Sequence, residues 1–104
     1  MKIVAITSCA TGIAHSYMAA EALRKAAKEL GDEIRVEVQG AMGIENRLTD
    51  EQIVEADIVI WAVDVNVRDK DRFDEKNVIQ LGPNEVIRDA KKILSDIKAN
   101  LSKS

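Results

Sequence analysis

The single cysteine of the chain, Cys9, lies in a short segment of small and hydroxyl-bearing residues that also carries the single histidine, His15. A thiolate is a strong nucleophile, and the electropositive N-terminus of a helix favours the thiolate over the thiol. Backbone N–H groups at such a terminus also bind the oxygens of a phosphoryl group. Gly12 suits this role because a side chain there would hinder close approach of the backbone to phosphate. The segment predicts a nucleophile of lowered pKa in an anion-binding loop.

Apolar runs and alternating patterns predict the strands that position this loop. Residues 3–6 and 58–63 are continuously apolar, as expected of central strands that are buried on both faces. In residues 33–38, apolar and charged side chains alternate, which predicts a strand with one wet face at the edge of the sheet. A weaker fourth strand is predicted for residues 78–81.

The segments between the predicted strands have helical periodicity. The first helix is predicted for residues 16–30, directly after the cysteine loop. Thr49 and Gln52 have the spacing of a capping box, which predicts the start of a short helix. The last helix is predicted after Pro83, with Asn84 as its candidate cap and apolar positions up to Leu101; an early break at Arg88 and Asp89 is the alternative.

The alternation of strands and helices predicts an α/β fold with a parallel sheet. With the two buried strands at the centre, we expect an open four-stranded parallel sheet in the order 2-1-3-4, with helices on both faces in a Rossmann-like or flavodoxin-like three-layer sandwich. All 104 residues, 1–104, fit a single domain. Ligands bind such sheets at the carboxyl ends of the strands where the strand order reverses, and Cys9 follows the first strand at this point.

Composition excludes several classes of protein. The chain has 15 basic and 18 acidic residues, a net charge of -3 and 3% aromatic residues, so it lacks the basic surface of a nucleic-acid-binding protein. No apolar run approaches the roughly 20 residues of a transmembrane helix. One cysteine and one histidine cannot complete a structural metal site, and no disulfide can form within the chain. With no secretory signal pattern at the start, we expect a cytoplasmic protein.

Residues 9–16, Cys-Ala-Thr-Gly-Ile-Ala-His-Ser, resemble the phosphocysteine loop of the fructose-type enzyme IIB family of the phosphotransferase system (PTS), usually Cys-Pro-Thr-Gly-Ile/Val-Ala-His-Thr. The similarity continues through residues 18–23, 37–40 and 43–46 and ends near residues 72–73. It implies that Cys9 forms the phosphocysteine intermediate. It also implies a phosphate-binding loop, without metal or cofactor, made of Ala10, Thr11, Gly12, Ile13, Ala14, His15 and Ser16.

The resemblance also implies the partners. In this family the cysteine accepts phosphate from a phosphohistidine of enzyme IIA and transfers it to fructose or a related sugar held by the membrane enzyme IIC, as a protein-phosphohistidine–sugar phosphotransferase. The chain would then lie at the inner face of the membrane through IIC, without inserting into the bilayer. Two residues depart from the usual loop. Ala10 replaces proline, which adds an N–H and loosens the unfolded chain, and Ser16 replaces threonine but keeps the hydroxyl, so we expect activity to survive.

Other functions are compatible with a cysteine in this position. An isolated cysteine near a strand end is commonly a small core residue, although the neighbouring hydroxyl residues and glycine favour a nucleophile here. A low-molecular-weight cysteine phosphatase has a similar loop, but its phosphate-clamping arginine is replaced by His15. A module that only binds phosphate or a flavin phosphate is the third possibility. Replacing Cys9 by serine would distinguish it, because a binding module would keep its ligand.

Further polar residues are expected at the same edge of the sheet. His15 is expected either to contact the thiolate or phosphate or to cap the following helix. Asp64 follows the third strand and is expected to cap a loop, because a carboxylate would repel a phosphocysteine. Residues 39–40 and 43–46 are expected to form turns, or else to frame the loop. The charged segment 64–76 is predicted to be a solvated loop, with a contact to IIA or IIC as the alternative.

Overall fold

A single mixed sheet forms the centre of the protein. The computed structural model describes residues 1–102. Its strands are β1 (Lys2–Ser8), β2 (Glu33–Gly40), β3 (Gly43–Glu45), β4 (Ile58–Val63) and β5 (Val78–Leu81). Its helices are α1 (Ile13–Leu30), α2 (Asp50–Glu55), a 3₁₀ helix (Lys70–Phe73) and α3 (Pro83–Ser102).

The sheet has the strand order β3-β2-β1-β4-β5. β1 pairs in parallel with both β2 and β4, and β5 pairs in parallel with β4. The predicted α/β class and the predicted order of the parallel strands are therefore confirmed. The expected total of four strands is wrong, because β3 pairs antiparallel with the end of β2 and adds a fifth strand. β3 has only 3 residues, too few for a hydrophobic period, and the sequence predicted turns there.

Helices cover both faces of the sheet, as expected of a three-layer sandwich. On one face, α1 and α3 pack on Ala5, Val36 and Ile60 in the larger hydrophobic core. On the other face, α2 and the 3₁₀ helix bury Ile53 and Phe73 against the opposite side of β1 and β4. Because both of its faces are covered and both of its edges are paired, β1 is buried from Ile3 to Ser8. Cys9 directly follows this central strand and therefore lies at the carboxyl edge of the sheet.

Two predicted environments are correct only in part. The wet face predicted for β2 is present at Glu33 and Arg35, which are exposed, but not at Glu37, which is completely buried and paired with Arg72 of the 3₁₀ helix. Most of the segment 64–76 is exposed as predicted, but Val67 and Phe73 are buried in the second core. Glu37 is buried because Arg72, from a distant segment, neutralises its charge, whereas Val67 and Phe73 are buried because they are apolar.

The helix ends differ from the sequence pattern in detail. α1 begins at Ile13, before the predicted Ser16, and ends at Leu30, where Gly31 caps it in the left-handed conformation. The capping box of Thr49 and Gln52 is confirmed by reciprocal hydrogen bonds at the start of α2. α3 continues to Ser102, and the alternative of an early break at Arg88 and Asp89 is limited to a kink at Asp89 with φ of -131°.

Candidate functional site

The loop between β1 and α1 holds Cys9 at the carboxyl edge of the sheet. Cys9 directly follows β1 and is partly exposed, and the N–H of Gly12 donates a 3.2 Å hydrogen bond to its carbonyl. Gly12 then enters α1 with φ of 125°, which explains glycine there on conformational grounds. No side chain caps α1, so the interpretation of His15 as a helix cap is wrong. The first N–H groups of the helix lack intrahelical partners, and Cys9 lies just before them.

A cavity of about 890 Å³ opens beside Cys9. Its walls come from the cysteine loop, from the β2–β3 hairpin and from the segment that follows β4. The hairpin contributes residues 39–45, and the segment after β4 contributes Val65, Asn66 and Arg68. The absence of a side chain at Gly40 leaves room for Ile13, since a Cβ at Gly40 would lie 2.5 Å from Cδ1 of Ile13. Residues 39–40 and 43–45 therefore frame the loop, which was the alternative to a simple turn.

Ser16 carries a buried hydroxyl with no hydrogen-bond partner in the described part of the chain. Its side chain is 1% exposed, on the first turn of α1. Oγ lies close to the Cys9 thiol but completes no hydrogen bond of normal geometry with it. A buried hydroxyl without a partner costs free energy, and native proteins rarely keep one without a reason. The hydroxyl is available to a ligand at Cys9.

The pKa of the Cys9 thiol is raised above its ordinary value, so the lowered pKa predicted from the sequence is wrong. Burial of the thiol is the main cause, the Ser16 hydroxyl opposes it by lowering the pKa, and the Asp64 carboxylate raises the pKa further. The sequence indicates the helix N-terminus beside Cys9, but neither the desolvation of the thiol nor the carboxylate from a different loop can be seen in it. The resting loop therefore favours a protonated thiol.

Asp64 reaches the cysteine loop from the end of β4. Its Oδ1 accepts a 2.8 Å hydrogen bond from the backbone N–H of Ala10, and its own N–H donates to the carbonyl of Ser8 at 3.2 Å. The predicted loop-capping role of Asp64 is confirmed. Ala10, which stands where the family usually has proline, uses its additional N–H for this bond.

The remaining loop residues are more exposed. Thr11 Oγ1 and His15 Nδ1 form a 2.7 Å hydrogen bond across the first turn of α1, while His15 is half-buried. Ile13 and Ala14 are exposed at the start of the helix, and Ile13 lines the cavity. The imidazole thus has a partner in Thr11. Of the loop residues, Cys9, Ala10, Gly12 and Ile13 line the cavity.

A buried polar network fixes the segment after β4 beneath the site. Arg72 forms a bidentate ion pair with Glu37, and Gln39 donates a 2.7 Å hydrogen bond to the same carboxylate. The Gln39 side chain also accepts from the N–H of Arg68 at 2.9 Å and donates to its carbonyl at 3.1 Å. The backbone of Arg68 is therefore held at the cavity wall by a rigid side chain.

Arg68 is the site residue that the sequence analysis missed. Arg68 lines the cavity, and its guanidinium makes no hydrogen bond or ion pair with the residues that the structure describes. The sequence placed it in a charged segment with no motif around it, and nothing local indicated which way it would face. The structure thus brings an arginine to a cavity whose loop carries none.

Exposed apolar side chains surround the cavity mouth. Ile13, Tyr17, Met42 and Val65 line the cavity and are all substantially exposed, Met42 completely so. We call these residues the apolar rim. The hydroxyl of Tyr17 also hydrogen-bonds to Glu45 of β3, and this contact raises the pKa of Tyr17. An apolar surface around a polar site is typical of a protein interaction surface.

Within residues 1–102, no group of three His, Cys, Asp or Glu side chains is placed to hold a metal ion. None of the described helices combines the length and the apolar character needed to cross a bilayer.

Comparison with known proteins gives a consistent result. Residues 4–96 match the family described as "PTS system, Lactose/Cellobiose specific IIB subunit". The chain is 43% identical over 103 residues to the "PTS system fructose-like EIIB component 2" of Escherichia coli K12, covering 99% of this chain and 97% of that protein. It is 53% identical over 88 residues to the "PTS system fructose-specific EIIB'BC component" of Xanthomonas campestris, covering 85% of this chain but 15% of that longer protein.

A solved structure agrees with these relatives. The solution structure of the enzyme IIB subunit of a PTS system from E. coli K12 superposes with a TM-score of 0.93 at 40% identity, covering 98% of this chain and 94% of that one. Fold, length and sequence therefore point to the same family, and the resemblance seen in the cysteine loop is confirmed. The chain belongs to the PTS enzyme IIB family, as a fructose-like IIB component and thus a phosphotransferase.

Proposed function

We propose that Cys9 is the residue that carries the phosphoryl group, accepting it from a phosphohistidine of an enzyme IIA and passing it to a sugar held by a membrane enzyme IIC. Residues 10–16 bind the phosphoryl oxygens, and the chain acts as a single domain. The observation that carries this proposal is the hydroxyl of Ser16, which is buried beside the thiol without a partner. A phosphoryl oxygen on Cys9 would give it one.

The chemistry consists of two balanced transfers. In the first, the sulfur of Cys9 attacks phosphorus, the S–P bond forms, the N–P bond of the donor histidine breaks, and the thiol proton replaces phosphorus on the imidazole. In the second, a sugar hydroxyl oxygen attacks phosphorus, the S–P bond breaks, and the hydroxyl proton returns to sulfur. Because the pKa of Cys9 is raised by burial and by Asp64, removal of its proton belongs to the transfer step itself.

The N-terminus of α1 supports the binding of phosphate at this position. Its free N–H groups and positive end stabilise negative charge, and Gly12 gives the turn the backbone conformation that it needs. Arg68 adds a cation at the cavity wall. Its guanidinium comes from outside the loop, unlike the arginine of a cysteine phosphatase, which occupies the position of His15.

The partners follow from the family and from the apolar rim. The rim of Ile13, Tyr17, Met42 and Val65 lines the same cavity as Cys9, where both the donor histidine and the acceptor sugar must approach. We propose that IIA and IIC contact this surface in turn. The IIC contact would place the chain at the inner face of the membrane. Fructose or a related sugar is the proposed acceptor, because the curated relatives are described as fructose-like or fructose-specific.

Phosphate transfer tests this function directly. The chain is mixed with the general PTS proteins, a IIA protein and labelled phosphoenolpyruvate, and mass spectrometry locates the label. We expect label on Cys9 in the wild type and no label in Cys9→Ser, with the circular dichroism spectrum unchanged. Label on a different residue, or no label on the wild type, would overturn the assignment. Adding membranes that contain the IIC protein and a panel of sugars then identifies the acceptor.

Hydrolysis distinguishes the phosphatase alternative. A phosphatase would release inorganic phosphate from a small aryl phosphate at a steady rate without IIA or IIC, whereas the proposed carrier would not turn over. A module that only binds phosphate would retain inorganic phosphate equally well in the wild type and in Cys9→Ser. Neither outcome is expected.

A further inference from the structure

Two aspartates bracket β4 and make the same contact with the two ends of β1. Asp57 precedes β4, and its Oδ2 accepts a 2.8 Å hydrogen bond from the N–H of Lys2. Asp64 follows β4, and its Oδ1 accepts a 2.8 Å hydrogen bond from the N–H of Ala10. Each carboxylate therefore ties β1 and β4 together just beyond one end of their ladder. As structural clamps, the two aspartates are equivalent.

The surroundings of the two aspartates are not equivalent. Asp57 lies at the amino edge of the sheet, far along the strand from Cys9, while Asp64 lies at the carboxyl edge beside it. The negative charge of Asp64 acts on the Cys9 sulfur, where it disfavours a further negative charge. A carboxylate next to a residue that must carry phosphate is unexpected if the site only has to bind phosphate tightly.

We propose that Asp64 is a positioning residue that keeps the phosphoryl group on Cys9 transferable, by holding the Ala10 N–H in the resting loop and by repelling the phosphoryl charge once it is attached. This inference rests on the proposed phosphocysteine function. The hydrogen bond to Ala10 fixes the carboxylate where its charge reaches the sulfur. The loop therefore stabilises phosphocysteine less than it would without this carboxylate. The repulsion between the phosphoryl group and Asp64 is relieved when the phosphoryl group leaves.

The other charged groups near Cys9 do not replace Asp64 in this role. Arg68 lines the cavity and attracts phosphate, so it acts in the opposite direction. Glu45 is a cavity residue whose carboxylate already accepts a hydrogen bond from Tyr17. His15 is hydrogen-bonded to Thr11 on α1. The carboxylate of Asp64 is the one that contributes to the raised pKa of the Cys9 thiol.

The experiment compares Asp64→Asn with the matched control Asp57→Asn. Asparagine keeps an oxygen that accepts the hydrogen bond from the backbone N–H. Each variant therefore removes a charge while preserving this hydrogen bond. Each protein is equilibrated with a phosphorylated IIA, and the fraction of phosphorylated Cys9 is measured. For Asp64→Asn we expect the equilibrium to shift toward phosphocysteine by about three- to tenfold, as for removal of one unit charge a few ångströms away near a protein surface. We expect no shift for Asp57→Asn.

A second readout requires no phosphate. The rate of Cys9 alkylation against pH should show a lower midpoint in Asp64→Asn than in the wild type or Asp57→Asn. The difference should shrink as salt is raised, because salt screens charge but leaves a merely structural hydrogen bond in place. Thermal unfolding of the two variants should be similar, which separates the electrostatic effect from lost stability.

The outcomes distinguish this inference from the function on which it rests. Suppose that the wild type accepts phosphate, and that Asp64→Asn and Asp57→Asn have equal fractions of phosphorylated Cys9 and equal alkylation midpoints. This result would overturn the role of Asp64 and leave the carrier function intact. A wild type that accepts no phosphate would overturn the proposed function and this inference with it. A shift toward phosphocysteine in Asp64→Asn alone, reduced by salt, would establish the role.

Discussion

Arg72 holds Glu37 in a bidentate ion pair, with Nη1 3.0 Å from Oε1 and Nη2 3.0 Å from Oε2 of the carboxylate. The side chain of Glu37 is 0% exposed and that of Arg72 9%. The backbone N–H of Leu48 completes the environment with a 2.8 Å hydrogen bond to Oε1. Through Gln39, this pair is connected to the backbone of Arg68, so it links the core of the protein to the wall of the cavity.

We expect Arg72→Leu to lower the free energy of unfolding by about 3–5 kcal/mol, because it leaves the buried carboxylate of Glu37 without its counter-ion. The matched control is Arg47→Leu, which breaks the exposed pair with Asp69 and should have little effect. Urea denaturation measures both. Equal decreases in the free energy of unfolding of the two variants would show that burial does not determine how much the Glu37–Arg72 pair contributes to stability.

The Glu37 carboxyl also predicts a dependence of stability on pH. Burial raises its pKa, but hydrogen bonds from Arg72, Gln39 and the Leu48 N–H outweigh burial and hold the pKa below its ordinary value of 4.5. A carboxyl whose pKa is lowered in the folded state stabilises the fold at pH values above its ordinary pKa. This contribution is lost as the pH falls through the folded-state pKa. The stability difference between wild type and Glu37→Gln should therefore be largest near neutral pH and shrink below about pH 4.5. Denaturation at several pH values tests this, and a constant difference would contradict it.

Ser16 predicts a change in thiol reactivity. Its hydroxyl lowers the pKa of Cys9 against the larger effect of burial, so Ser16→Ala should raise that pKa further and slow alkylation at neutral pH. Ser16→Thr keeps the hydroxyl and is the usual residue of the family, which makes it the control. The alkylation rate is followed from pH 6 to pH 10, about the range in which thiols titrate. If the alkylation rate of Ser16→Ala had the same dependence on pH as that of Ser16→Thr, the hydroxyl would not act on the sulfur.

Arg68 predicts a defect in phosphate transfer without a defect in folding. Arg68 lines the cavity beside Cys9, and its guanidinium makes no hydrogen bond or ion pair within residues 1–102, so Arg68→Gln should slow phosphate acceptance by several-fold and keep the unfolding free energy. Arg88→Gln removes an exposed arginine on α3 that is paired with Asp89, and it should leave the rate unchanged. Initial rates of labelling by phosphorylated IIA measure both. The same decrease in the two variants would indicate a general effect of net charge.

Local sequence was sufficient where the structure depends on neighbouring residues. The apolar runs at residues 3–6 and 58–63 became β1 and β4, because a strand buried on both faces needs no polar side. Thr49 and Gln52 started α2 through contacts within one turn. β3 was not predictable in this way, since its 3 residues are extended only because the end of β2 offers hydrogen-bond partners.

The sequence by itself determined the α/β class, the order of the parallel strands and the position of Cys9 between β1 and α1, because composition and periodicity within short segments specify them. Only the tertiary structure decided which distant residues surround the thiol. Parallel strands bring their carboxyl ends to one edge, so Gln39, Asp64 and Arg68 meet the cysteine loop although no local pattern connects them. The direction of the Cys9 pKa follows from the same cause, because burial and the carboxylate of Asp64 are contributed by segments remote in the chain.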